Sequence, residues 1–139
     1  MASVNYWVIL AAAVASFLFG ALWYGALGKP WLAALDKNEE QLKASAGFVV
    51  PMAITIVAQL VMAWVLAGIL AHLLKGGVAA NVRNGMLSAA FIWAGFVATT
   101  LSVNHAFQGA KRMLTLIDGG HWLAVLLIQG AIIGGWGLR

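Results

Sequence analysis

Four apolar stretches laid end to end, with nearly every charge confined to the gaps between them, fix the solvent in which this chain folds. They cover residues 4–27, 47–74, 84–107 and 114–138, each about 24 to 28 residues long. A helix rises about 1.5 Å per residue and the hydrocarbon core of a bilayer is about 30 Å thick. Each stretch is therefore long enough to cross a membrane with some tilt. The sequence predicts one all-α domain, an integral membrane bundle of four transmembrane helices.

Composition agrees. The chain of 139 residues is 63% hydrophobic and 9% charged, far from the balance of a soluble domain. Its net charge of +4 does not call for nucleic acid. The cations Lys37, Lys75, Arg83, Lys111, Arg112 and Arg139 fall at helix ends or in loops. There, membrane lipids with anionic headgroups suffice as partners. No basic stripe with interleaved aromatics is present. Cysteine is absent, which removes disulfides, thiolate metal sites and cysteine nucleophiles. The first stretch lacks a basic leader and exceeds the usual signal-peptide core, so it is read as a retained span.

Local signals place the boundaries. Gly28-Lys29-Pro30 is expected to end the first helix, with glycine supplying a left-handed exit and proline barring continuation. Pro30 and Trp31 are then expected to open a short interfacial helix within the loop 28–46. Trp7, Trp23, Tyr24 and Trp31 fit aromatic belts at the two interfaces. Asn38-Glu39-Glu40-Gln41 has the form of a capping box. Pro51 marks a kink or the true start of the second span. Short links make successive spans antiparallel neighbours, so both ends of the chain lie on one side. Lys29, Lys37, Lys43, Lys111 and Arg112 lie on the loop side, against Lys75, Arg83 and Arg139 on the other. That bias places the loop 28–46 in the cytoplasm.

In lipid, helices associate through close packing and hydrogen bonds. Small residues four apart recur, as in Gly85 and Ala89, Gly130 and Gly134, and Ala131 and Gly135. They serve either the bundle or a dimer face. Each span also carries a thin polar stripe, comprising Asn5, Ser16, Thr55, Gln59, Thr100 and Gln129. Polar groups in hydrocarbon are costly unless paired, so these are expected to face inward as interhelical bonds or as the lining of a polar path.

One cluster stands apart. Asn104 and His105 close the third span, and Asp118 and His121 open the fourth, so all four lie near one membrane face. Asp118 is the only acid inside an apolar stretch. Asp118 and His121 share a helix face at i, i+3 and can form a proton or ion relay. Asp118 can equally be a structural acid at a helix start, paired with Lys111 or Arg112. Headgroup binding, and a metal held by His105, Asp118 and His121, are further readings. No fixed metal-ligand motif, phosphate loop or nucleophile with its base appears, so neither a metal nor another cofactor is expected.

Phe19-Gly20-Ala21-Leu22-Trp23-Tyr24-Gly25, followed by Gly28-Lys29-Pro30-Trp31, resembles the opening signature of DUF1761, a bacterial membrane family of unknown function. Asn38-Glu39-Glu40-Gln41-Leu42, Gly95-Phe96-Val97-Ala98-Thr99-Thr100 with Asn104, and the glycine-rich end of the fourth span are similar to it as well. The resemblance covers nearly the whole chain. It implies a compact four-helix protein of the bacterial cytoplasmic (inner) membrane, and a shared cluster of Trp23, Tyr24, Lys29, Trp31, Thr100 and Asn104. It carries no activity. The function expected is a non-enzymatic structural or interaction protein forming homo-oligomers. The rivals are a small transporter or channel using Asp118 and His121, and a lipid-modifying enzyme.

Overall fold

A computed structural model describes residues 4–138, apart from the side chains of Ser45 and Ala46. Six α-helices follow in order: α1 Tyr6–Ala34, α2 Glu39–Ala46, α3 Val49–Lys75, α4 Val82–Ile92, α5 Ala98–Phe107 and α6 Arg112–Ile132. One π-helical turn, Trp93–Val97, joins α4 to α5, and another, Ile133–Gly137, extends α6. The four spans are thus α1, α3, α4 with α5, and α6 with its π turn, each long and apolar enough to cross a membrane. This is a multi-pass membrane protein. The two ends lie on one side, as expected of an even number of spans, and they also meet. Val4 bridges Leu138, and the Asn5 backbone N–H donates to the Gly137 carbonyl at 2.9 Å. Arg139, one cation of the orientation bias, lies outside the described residues.

The first span departs from the sequence expectation. α1 does not stop at Gly28 but continues through Pro30 to Ala34, and no separate interfacial helix opens there. A proline inside a helix removes one backbone bond, here the one to Ala26, at a cost of about 3 kcal/mol. The extra turn is held by contacts that local sequence does not show, described below. The left-handed exit comes from Asp36, with φ 54°. Lys37 N–H reaches the Leu32 carbonyl at 3.1 Å and Asp36 N–H reaches Ala33 at 3.3 Å, the paired bonds of a Schellman motif. The capping box follows the sequence. Gln41 N–H donates to Asn38 Oδ1 at 2.8 Å, and Asn38 N–H to Gln41 Oε1 at 3.0 Å. Pro51 sits in the first turn of α3 and so marks its start.

α6 is the hub, packing on α1, on α4 and on α3. Its crossing with α4 is backbone on backbone. A Cβ built at Gly85 would overlap the Gly130 carbonyl oxygen and lie 3.1 Å from the Gly134 Cα. A Cβ at Gly130 would lie 2.9 Å from that of Ala89. Glycine at these positions lets the two helices approach. Gly130 and Gly134 therefore serve the bundle itself. Gly135 is exposed, beside Val82, and Ala131 is half-buried. The span of α4 and α5 gives the core only Gly85 and Ala89 and turns Phe91, Phe96 and Phe107 outward.

Candidate functional site

Two polar clusters tie the apolar spans together. The first lies near the middle of α1, α3 and α6. Ser16, Gln59 and Gln129 are at most 1% exposed. Ser16 Oγ donates to Gln59 Oε1 at 2.7 Å. Gln129 Nε2 donates to Ser16 Oγ at 3.0 Å and to the Gln59 carbonyl at 3.1 Å. These three stripe residues meet because all are the polar members of inward faces, where each is the others' nearest partner. The remaining three stripe residues do not line this interior. Asn5 caps α1, accepting from Trp7 N–H at 3.0 Å. Thr55 donates to its own helix at Pro51, 2.8 Å away. Thr100 is exposed on α5. Asn5 is spent on a helix end, where unpaired N–H groups need acceptors, and Thr55 on a carbonyl of the preceding turn.

The second cluster surrounds the first half of α6. Tyr24 Oη donates to Asp118 Oδ1 at 2.7 Å, and Trp31 Nε1 donates to the same oxygen at 3.1 Å. Trp23 Nε1 donates to the Ile117 carbonyl at 3.1 Å, and Trp93 Nε1 to the Gly119 carbonyl at 2.9 Å. Trp23, Tyr24 and Trp31 were expected as interfacial belt residues; they are donors aimed at one helix. Tyr24 and Trp31 lie seven residues apart, two helical turns on one face. That spacing is the signal in the sequence, and reading Pro30 as a helix stop hides it.

Asp118 therefore bonds neither to His121 nor to Lys111 or Arg112. Lys111 Nζ pairs instead with the Asp36 carboxylate and reaches the Ala33 carbonyl at 3.2 Å. The His121 ring is 3% exposed and packs on the Tyr24 ring at 4.9 Å and the Trp122 ring at 4.8 Å. Its Nδ1 has no hydrogen-bond partner among the described residues. A Cβ at Gly20 would come within 2.8 Å of His121 Nε2, so Gly20 makes room for the imidazole. His105 bonds Thr115 Oγ1 at 2.9 Å, and Asn104 is exposed. The four residues at this end do not converge. Among the described residues no group of three or more His, Asp or Glu side chains gathers as a metal would require, so the metal reading of His105, Asp118 and His121 fails on geometry. Of the cluster implied by resemblance, Trp23, Tyr24 and Trp31 come together, while Lys29, Thr100 and Asn104 are exposed.

Between the two clusters lies a cavity of about 510 Å3. Phe17, Gly20, Ala21, Tyr24, Gly25 and Trp31 line it from α1, and His121 and Trp122 from α6. Met52, Thr55 and Gln59 of α3 form the third wall, with Leu42 and Phe48 also lining it. Its size is that of a small-molecule site. The walls are apolar and aromatic.

A family model described as a protein of unknown function, DUF1761, matches residues 7–134. The chain belongs to the DUF1761 family. No curated protein and no solved structure matches this DUF1761 chain. The match reaches all four spans and takes in both polar clusters and every residue lining the cavity.

Proposed function

We propose that this DUF1761 protein is a non-enzymatic membrane protein that binds a lipophilic small molecule between α1, α3 and α6. The observation that carries this reading is the cavity of about 510 Å3, walled by aromatic and aliphatic side chains and reached by few polar groups. Binding sites in proteins have this make-up: apolar walls and a small number of placed polar atoms. Trp31 and Trp122 line the cavity, so a brominated lipophile bound there quenches tryptophan fluorescence. Gly25 offers the control. It lines the cavity, and a Cβ there meets nothing within 4 Å. Gly25→Phe fills the space without a clash at the backbone. Wild type in nanodiscs is expected to show saturable quenching, and Gly25→Phe to lose it at unchanged thermal stability. Quenching by every lipophile that rises linearly without saturation overturns the proposal.

Self-association belongs to the same reading. The outer face of α4 and α5 is available to a second copy, and Phe96→Cys cross-linking in native membranes reads it. The bacterial cytoplasmic membrane is the proposed residence, with the connection from α1 through α2 to α3 inside. The transporter reading draws support from one contact chain, Asp118 to Tyr24 to the His121 ring. Against it, Ser16, Gln59 and Gln129 bond to one another and interrupt a polar path. Proton flux into liposomes that Asp118→Asn abolishes would establish transport; no flux above empty liposomes removes it.

A further inference from the structure

Resting on that binding reading, the structure assigns the ligand's chemical class: we infer that the cavity takes an uncharged lipophile bearing a carbonyl acceptor, held by the Gln59 amide. Gln59 lines the cavity and is 1% exposed. Its Oε1 accepts from Ser16, while its Nε2 has no partner among the described residues. An unpaired amide N–H in an apolar interior is costly, and an acceptor brought by a ligand removes that cost. His121, 3% exposed, is a second lining residue with an unpartnered ring nitrogen. Its neighbours in the wall, Tyr24 and Thr55, already donate elsewhere, to Asp118 and to the Pro51 carbonyl. The buried donors left for a ligand are thus the Gln59 amide and, in its Nδ1–H tautomer, the His121 ring; the amide can only donate there, and it calls for an acceptor.

Charge decides between acceptors. No Lys, Arg, Asp or Glu lines the cavity among the described residues. The ionisable groups nearby are the His121 ring in the wall, buried against the Tyr24 and Trp122 rings, and Asp118, an acid that takes its bonds from Tyr24 and Trp31. A phosphate or carboxylate placed here would be a desolvated anion with no Lys or Arg beside it, and only a buried imidazole that would itself have to be charged in an apolar wall, which is far more costly than a neutral carbonyl. Quinones, ketones and neutral esters meet the requirement. Fatty acids and phospholipid headgroups do not.

Three probes of similar apolar bulk test this against full-length protein in nanodiscs: decyl-benzoquinone, decylbenzene and 4-decylbenzoate, with binding measured by equilibrium dialysis. The quinone is expected to bind about tenfold more tightly than decylbenzene, the effect of one buried hydrogen bond. Decylbenzoate is expected to bind more weakly than the quinone. Gln59→Met, which keeps the bulk and drops the amide, is expected to bring quinone and decylbenzene to near parity. Equal binding of quinone and decylbenzene by wild type overturns the inference and leaves the cavity as a lipophile site. So does decylbenzoate binding as tightly as the quinone. A preference for quinone that survives Gln59→Met removes Gln59 as the recognising group. Absence of saturable binding by all three probes overturns the binding reading itself. If Gln59→Met does not fold, the wild-type probe ratios still decide.

Discussion

Both polar clusters hold α1 to α6, by different chemistry. At the middle of the bundle, Ser16, Gln59 and Gln129 form a neutral set fully inside the protein. Toward the α2 end, Asp118 is a half-buried acid that takes two aromatic donors on one oxygen. The neutral set exchanges bonds among equals, so removing one member leaves little stranded. The acid cluster is a one-way arrangement in which Tyr24 and Trp31 depend on a single acceptor. The lesson is that a polar group in a membrane helix is worth what its partners lose without it, rather than its own bond count.

Asp118→Leu tests this most severely. It strands the Tyr24 hydroxyl and the Trp31 indole at once. A loss of about 2 to 3 kcal/mol is expected from unfolding in mixed detergent. Asp118→Asn keeps an oxygen able to accept both bonds, so most of that loss should disappear. If the asparagine costs as much as the leucine, the negative charge and not the acceptor holds α1 to α6. Gln129→Leu comes next. It deletes two donated bonds, yet Ser16 still donates to Gln59, and the unpartnered Gln129 Oε1 goes with the side chain. The expected loss is about 1 kcal/mol by the same measurement. A loss exceeding that of Asp118→Leu would reverse the ranking of the clusters.

The clusters also differ in how far the sequence revealed them. Four spans, the capping box at Asn38, the start of α3 near Pro51 and the placing of both chain ends on one side follow from apolar length and local turn chemistry. Gln59, Ser16 and Gln129 follow from helical period, because a polar residue on an otherwise apolar inward face has few partners to choose from. The acid cluster was half visible. Asp118 stood out as the only acid in a span, but its partners depend on α1 running on past Pro30. Local rules stop a helix there. The tertiary contacts of Trp31 and the Lys111 pairing at Asp36, made with α6 and the residue before it, are long-range and leave no local trace. The cavity was not legible at all, since it arises from how three helices splay. Asn104 and His105 shared a membrane depth with Asp118, and depth alone does not set rotation about a helix axis.

Trp31→Phe sharpens the comparison at smaller scale. Phenylalanine retains an edge-on ring contact like that of Trp31 with Tyr24, whose centroids lie 5.3 Å apart, and loses only the N–H bond to Asp118. A cost of about 1 kcal/mol is expected. Combined with Asp118→Leu, the two changes should be less than additive, with a coupling of about 0.5 to 1 kcal/mol. Full additivity would mean that Trp31 holds the last turn of α1 by packing alone, and the extension beyond Pro30 would need another cause.

The smallest effect belongs to the third polar contact at this end, the pair of Lys111 with Asp36. Both side chains are more than half exposed, at 52% and 76%, and ion pairs of that kind contribute about 0 to 1 kcal/mol and fade with salt. Asp36 also occupies a left-handed conformation, φ 54°, which glycine adopts without steric cost. Asp36→Gly therefore sets a screened ion pair against relief of backbone strain. At low salt the two are expected to cancel to within about 0.5 kcal/mol. At high salt the pair is screened while the strain is not, so the glycine variant should become the more stable protein. A variant that stays equally less stable than wild type at every salt concentration would show that the loss is not the screened pair, and that glycine at this position costs more in the unfolded chain than it relieves in the folded one.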